Sequence, residues 1–225
     1  MTDLISSEVD RFLTEKAQET ARKGRLIFAL DATMSRQGTW DMACQLQAQM
    51  FSEVATIGAL DVQLVYYRGP SEHPEGECRA SRWYDSPVYL TKAMSSITCR
   101  AGYTQIRRIL LHCGQEAVRS KVNAVVFVGD ACEESADSLS QPAADLGRLK
   151  VPVFMLQEGE DKKAELVFRE VSRLTNGAYL HFNAGAARQL ADLLRAIATF
   201  AVGGVTALEN ANNPSATKLL AALHG

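Results

Sequence analysis

Leu26-Ile27-Phe28-Ala29-Leu30-Asp31-Ala32-Thr33-Met34-Ser35 runs five apolar residues directly into one carboxylate and two hydroxyls. An unbroken apolar run of this length reads as a strand buried within a sheet. The strand delivers Asp31, Thr33 and Ser35, at alternating positions, to the point where the chain leaves the sheet. A short turn there can aim three oxygens at one centre. Oxygen-only ligands suit a hard cation such as Mg²⁺ rather than a soft one.

Working outward, Ile5, Val9, Phe12, Leu13 and Ala17 recur at helical spacing, so residues 4–22 read as a helix ended by Gly24. After the first strand, Thr39 is placed to cap a helix to about residue 57, built on Met42, Leu46, Met50 and Val54. Residues 61–67 read as a strand, residues 68–76 as turn-rich, and residues 77–84 as the returning arm of a hairpin. A weak helical signal over 88–97 follows, then a firm helix over about 104–120. Residues 123–129 are again almost wholly apolar. Helices over 136–149, 162–174 and 186–202 alternate with strands over 151–156 and 178–182. This order predicts an α/β fold, doubly wound, with helices on both faces of a mostly parallel central sheet and one antiparallel edge strand. The expected division is an N-terminal helix packed on or flanking the domain (residues 1–23), the domain proper (24–203) and a C-terminal tail (204–225). In that tail Leu219, Leu220 and Leu223 suit either a frayed end or a short docking helix.

The bulk numbers bound the function. A chain of 225 residues and 24.6 kDa can bury a sizeable core and is expected to form one domain. A net charge of -2 and a pI near 6.1 give no electrostatic footprint for nucleic acid. Residues 1–25 carry charges throughout with no apolar core, so no signal peptide is expected. No apolar stretch approaches the roughly 20 residues that cross a bilayer, so no membrane partner is expected either. The five cysteines, Cys44, Cys78, Cys99, Cys113 and Cys132, are odd in number and show no CxxC spacing. Free, mostly buried thiols in a cytoplasmic protein are the expectation.

In an open parallel sheet, ligands gather beyond the carboxyl ends of the strands where the strand order reverses. The first strand ends in Asp31 and the strand over 123–129 ends in Asp130. If these strands are neighbours, both carboxylates emerge side by side. Between them in sequence, Ala101-Gly102-Tyr103-Thr104 brings a hydroxyl to a helix entry beside the same edge. Asp31, Thr33, Ser35, Thr104 and Asp130 then form one oxygen cage.

This order of residues resembles the von Willebrand factor A (VWA) domain family and its metal-ion-dependent adhesion site. The resemblance covers residues 24–203. Asp31, Thr33 and Ser35 match the family's D-x-S-x-S loop after the first strand, Thr104 its later Thr, and Asp130 its last Asp. Gly-Tyr-Thr stands here for the common Gly-Gly-Thr, and Asp130-Ala131 for the common Asp-Gly. The resemblance implies a Rossmann-like fold and a bound Mg²⁺, with Mn²⁺ or Ca²⁺ as alternatives. Hydroxyls of Thr33, Ser35 or Thr104 would touch the metal directly, and Asp31 and Asp130 would hold it largely through water. The open coordination position would receive an Asp or Glu carboxylate of a protein partner. The implied role is adhesion, without catalysis.

Other readings compete for the same residues. Asp31 at the end of the first strand also suits the nucleophile of a haloacid-dehalogenase-like, metal-dependent phosphohydrolase. That chemistry needs a general acid two residues later, where this chain has Thr33. A dinucleotide site would need G-x-G-x-x-G after the first strand, which is absent. His73, Cys78, His112 and Cys113 lack zinc spacing, and buried thiols with a half-exposed imidazole account for them better. Arg79, Arg82, Trp83 and Tyr84 read as a strand with one exposed face. Asp130 with Glu133 and Glu134 has a second reading as the start of the next helix.

Overall fold

The computed structural model describes residues 23–54, 56–69, 76–183 and 185–224. The helix expected over 4–22 lies outside the described residues. The first strand, β1 (Lys23–Asp31), leads through a short 3₁₀ turn into α1 (Gln37–Val54) and then β2 (Ala59–Arg68). β3 (Glu77–Tyr84), α2 (Pro87–Ser95) and α3 (Ile106–Arg119) follow. The chain then alternates through β4 (Ala124–Gly129), α4 (Ala136–Arg148), β5 (Val153–Glu158), α5 (Lys162–Leu174) and β6 (Tyr179–Phe182). It closes with α6 (Ala187–Ala211) and α7 (Pro214–His224).

The six strands form one sheet in the order β3-β2-β1-β4-β5-β6. All neighbours pair in parallel except β2 and β3, whose antiparallel pairing makes β3 the edge strand expected from the hairpin. The fold is therefore α/β, doubly wound and Rossmann-like. From β1 the chain first winds outward to β2 and β3, then returns past β1 to β4, so the strand order reverses between β1 and β4. That reversal opens the crevice in which such sheets bind their ligands.

The alternation inside β1 explains why the run is wholly apolar. Leu26, Phe28 and Leu30 face one layer, where they pack with Trp40 and Met50 of α1 and Leu194 and Ile197 of α6. Ile27 and Ala29 face the other, with Ile109 and Cys113 of α3, Leu139 of α4 and Phe168 of α5. A strand covered on both sides cannot alternate polar with apolar residues. Phe127 of β4 ties the second layer together, stacked on Tyr67 at 6.3 Å and edge-on to Phe168 at 5.5 Å.

α6 runs past the end expected near residue 202. Gly204 adopts φ 66°, which breaks the helical path, and the helix then resumes to Ala211. Its mean hydropathy reaches 1.4 over an 18-residue window, enough in composition for a membrane span. Here Leu190, Leu194, Ile197 and Ala201 spend that apolarity on the sheet. Leu219 of α7 is buried in the same layer, so this part of the chain beyond Gly203 is helical and packed on the core.

Candidate metal centre

The three oxygens of the first loop are held together by the turn that follows β1. The Thr33 N–H donates to Asp31 Oδ1 at 2.7 Å, and the Thr33 and Ser35 hydroxyls lie 3.3 Å apart. Ala32 extends the sheet by one bond, its N–H reaching the Tyr67 carbonyl at 2.9 Å. Asp31 is thereby pinned at the carboxyl end of the central strand, only 2% exposed. Burial raises its carboxyl from 3.8 to about 6, opposed by the hydrogen bonds from Thr33 and by the nearby Tyr67 hydroxyl, and reinforced by the charge of Asp130. The Tyr67 hydroxyl is itself buried and makes no hydrogen bond of normal geometry among the described residues. Burial first, and the charge of Asp31 second, keep it firmly protonated.

β1 and β4 are direct parallel neighbours, Leu30 standing opposite Val128, so Asp130 leaves the sheet on the same edge as Asp31. Beside Asp130 lies a group the motif does not contain. Arg36, 3% exposed, donates from Nη1 to Glu158 Oε2 and stands 3.6 Å from Asp130 Oδ2. Glu158 ends β5 and also accepts from the Thr39 hydroxyl and from the Gly185 N–H at 3.0 Å. Burial pushes the Glu158 carboxyl up, but these donors and the Arg36 charge outweigh it and hold it below its ordinary value. Thr39 therefore sits inside α1 and braces Glu158, in place of the capping role its sequence position suggests. A cleft of about 360 Å³ opens here, lined by Ser35, Arg36, Thr39, Met42, Asp130 and Glu158 among others.

Thr104 sits on the adjacent loop with its hydroxyl engaged. It accepts from the Glu133 N–H at 3.1 Å, while its own N–H donates to Glu133 Oε2 at 2.9 Å. A hydroxyl oxygen keeps a second lone pair, so this engagement leaves it able to serve as a ligand. Glu134 accepts from the N–H groups of Ile106 and Arg107 at 2.5 and 3.0 Å, capping α3. Glu133 and Glu134 thus serve the start of α3, whereas α4 is capped by Ser135. Gly102 lets this loop close on the end of β2, because a Cβ there would come within 1.9 Å of the Gly69 carbonyl oxygen. Gly102→Ala is expected to displace the Thr104 loop and to lower stability by about 1–3 kcal/mol. An unchanged melting temperature would show that the loop relaxes without strain.

The donor set fits a hard divalent cation in chemistry and in charge. Asp31, Thr33 and Ser35 converge, all donors are oxygen, and Asp130 and Glu158 share a single guanidinium while Asp31 has none beside it among the described residues. With Asp31 ionised the cluster carries two uncompensated negative charges. Among the described residues no group of three or more His, Cys, Asp and Glu gathers at metal-binding distances.

The rival clusters are structural. His112 places Nε2 2.9 Å from Gln63 Oε1, and burial lowers its pKa. Cys113 is fully buried and its thiol is pushed up by that burial. All five cysteines are free. The Arg25 guanidinium lies 3.8 Å over the Trp83 ring, whose Nε1 donates to Glu116 at 2.9 Å, so the basic and aromatic residues around β3 brace the edge strand.

No family model matches the chain, and no curated protein sequence does. Its fold does match solved structures. A von Willebrand factor type A protein from Catenulispora acidiphila superimposes with a TM-score of 0.62 at 14% identity, covering 80% of this chain and 43% of its own. The SpRpn10 VWA domain gives 0.58 at 10% identity, covering 75% of this chain and 94% of its own. The human COPII-coat protein Sec24c gives 0.56 at 10% identity, over 78% and 31%. The chain thus spans less than half of the Catenulispora protein. At these identities the likeness establishes a VWA-type fold.

Proposed function

We propose that this VWA-type domain is a protein-binding module whose Asp31, Thr33, Ser35, Thr104 and Asp130 hold a divalent cation, Mg²⁺ first and Mn²⁺ or Ca²⁺ as alternatives. The cation, when bound, supplies an electropositive position with exchangeable water, at which an Asp or Glu carboxylate of a partner protein binds. The observation that carries the reading is Asp31 itself. It is a buried carboxylate with no cation beside it among the described residues, set against two hydroxyls in the crevice where the strand order reverses. Carboxylates are kept in such places when they serve a metal or a reaction.

The protein's own groups divide the work. Thr33 and its N–H orient Asp31, and the Tyr67 hydroxyl lies beside it, its ring stacked on Phe127. Met34 and Tyr103, 59% and 61% exposed, flank Thr33 and Thr104 and offer apolar surface to residues on either side of the partner's carboxylate. The coat protein among the fold neighbours supports a role in assembly. The phosphohydrolase alternative asks Asp31 to attack substrate, and its deep burial together with Thr33 at the acid position speaks against that.

In thermal unfolding, Mg²⁺ or Mn²⁺ at a hundredfold excess over Kd is expected to stabilise the protein by about 2.7 kcal/mol. That corresponds to about 5–10 °C for a chain of this size. Asp31→Ala is expected to remove the effect. No shift in the wild type up to tens of millimolar metal would overturn the reading, and turnover of a generic phosphate ester that disappears in Asp31→Ala would favour the phosphohydrolase.

A further inference from the structure

We propose that Arg36 is a built-in counter-cation of this site, holding Asp130 while no divalent cation is bound and releasing it when one binds. The inference rests on the metal-binding reading above and concerns a residue outside the ligand set. One guanidinium nitrogen, Nη1, serves two acids, with Glu158 as its hydrogen-bonded partner and Asp130 at 3.6 Å. The longer separation is an ionic contact without a directional bond. Nε and Nη2 are buried with no hydrogen-bond partner among the described residues. A guanidinium has five N–H donors, so this one is only partly satisfied. Those free donors leave its hold on Asp130 resting on charge alone.

Glu158 does not depend on Arg36 for its place, because Thr39 and the Gly185 amide hold both of its oxygens. Arg36 can therefore turn away from Asp130 without dismantling the end of β5. Asp130 is the more exposed of the two acids, and its charge is already felt at Asp31. A cation held between Asp31 and Asp130 brings positive charge against the guanidinium, so the two claims on Asp130 exclude each other. By linkage, whatever Arg36 gains from Asp130 is subtracted from metal affinity. The site then loads only above a concentration threshold that Arg36 sets.

The test is the Mg²⁺ and Mn²⁺ affinity of the full chain, by titration calorimetry and Mn²⁺ electron paramagnetic resonance, for wild type, Arg36→Met and Arg36→Met/Glu158→Gln. The double variant removes one charge of each sign, so its site keeps the wild-type net charge while Asp130 is freed. Both variants are expected to bind about tenfold more tightly, within the roughly 5- to 150-fold usual for coupled binding events. Tighter binding by the single variant alone would overturn the proposal, because net charge would then explain the gain. Unchanged affinity in both variants beside a wild type that binds metal would overturn it while leaving the metal-binding reading intact. No binding by any of the three would overturn both. If Arg36→Met fails to fold, the double variant, which leaves no unpaired Glu158 charge buried, carries the test.

Discussion

In EDTA at pH 8, Asp31→Asn is expected to unfold at a higher temperature than the wild type, by about 6–12 °C. The carboxyl of Asp31 is raised from 3.8 to about 6, chiefly by desolvation. The folded protein therefore binds more protons than the unfolded chain between about pH 4 and 6. Stability from this group is full below pH 4 and is lost as the pH rises through 6. Above that, the ionised and buried carboxylate costs about 3 kcal/mol. Asparagine removes the charge and keeps an oxygen for the Thr33 N–H, while its amide can donate to the Tyr67 hydroxyl, which makes no other hydrogen bond among the described residues. At pH 5 the advantage should shrink, and Mg²⁺ should narrow it at pH 8 by stabilising only the wild type. A variant less stable than wild type at pH 8 in EDTA would mean that Asp31 is already compensated. Carrying a self-destabilising acid is the trade of stability for function that the proposed metal site entails.

What could be seen in the sequence follows from the range of the interactions. β1, β4 and β5 were legible because burial on both faces writes itself as a continuous apolar run, and the alternation with helices then forces parallel pairing. The proximity of Asp31 and Asp130 was legible because it needs only that β1 and β4 be neighbours. Arg36 with Glu158 was not, since the partners are 122 residues apart and nothing local marks either one. Thr39 was misread for the same reason, as its hydroxyl answers to Glu158 and not to its own helix. Glu133 and Glu134 precede α4 in sequence but cap α3 in space. The Gly203-Gly204 pair marks an end by local rules, yet only Gly204 departs from helical geometry, and packing of Leu208 on the core carries the helix onward.

Glu158→Ala is expected to be the costliest change at the site that leaves the five proposed ligands intact, at about 3 kcal/mol. Removing one partner of a buried ion pair leaves the other charge stranded, which costs about 3–5 kcal/mol. The lower end applies because Arg36 still has Asp130 at 3.6 Å to turn to. Thr39 and the Gly185 amide lose their acceptor as well, which loosens the joint between α1 and the loop before α6. By contrast, Glu165→Ala breaks pairs with Lys162 and Arg169 on the exposed face of α5, where solvent screens the charges, and should cost far less. Urea unfolding of the two variants side by side checks the difference, and equal losses would show that Glu158 is no more than a surface partner. The change also separates the roles of the two acids around Arg36. With Glu158 gone, Arg36 settles fully on Asp130, so the stabilisation by Mg²⁺ should weaken in Glu158→Ala just as it strengthens in Arg36→Met/Glu158→Gln. Opposite metal responses from two variants that both lack Glu158 would follow from competition for Asp130, because loss of the Glu158 charge alone moves both the same way.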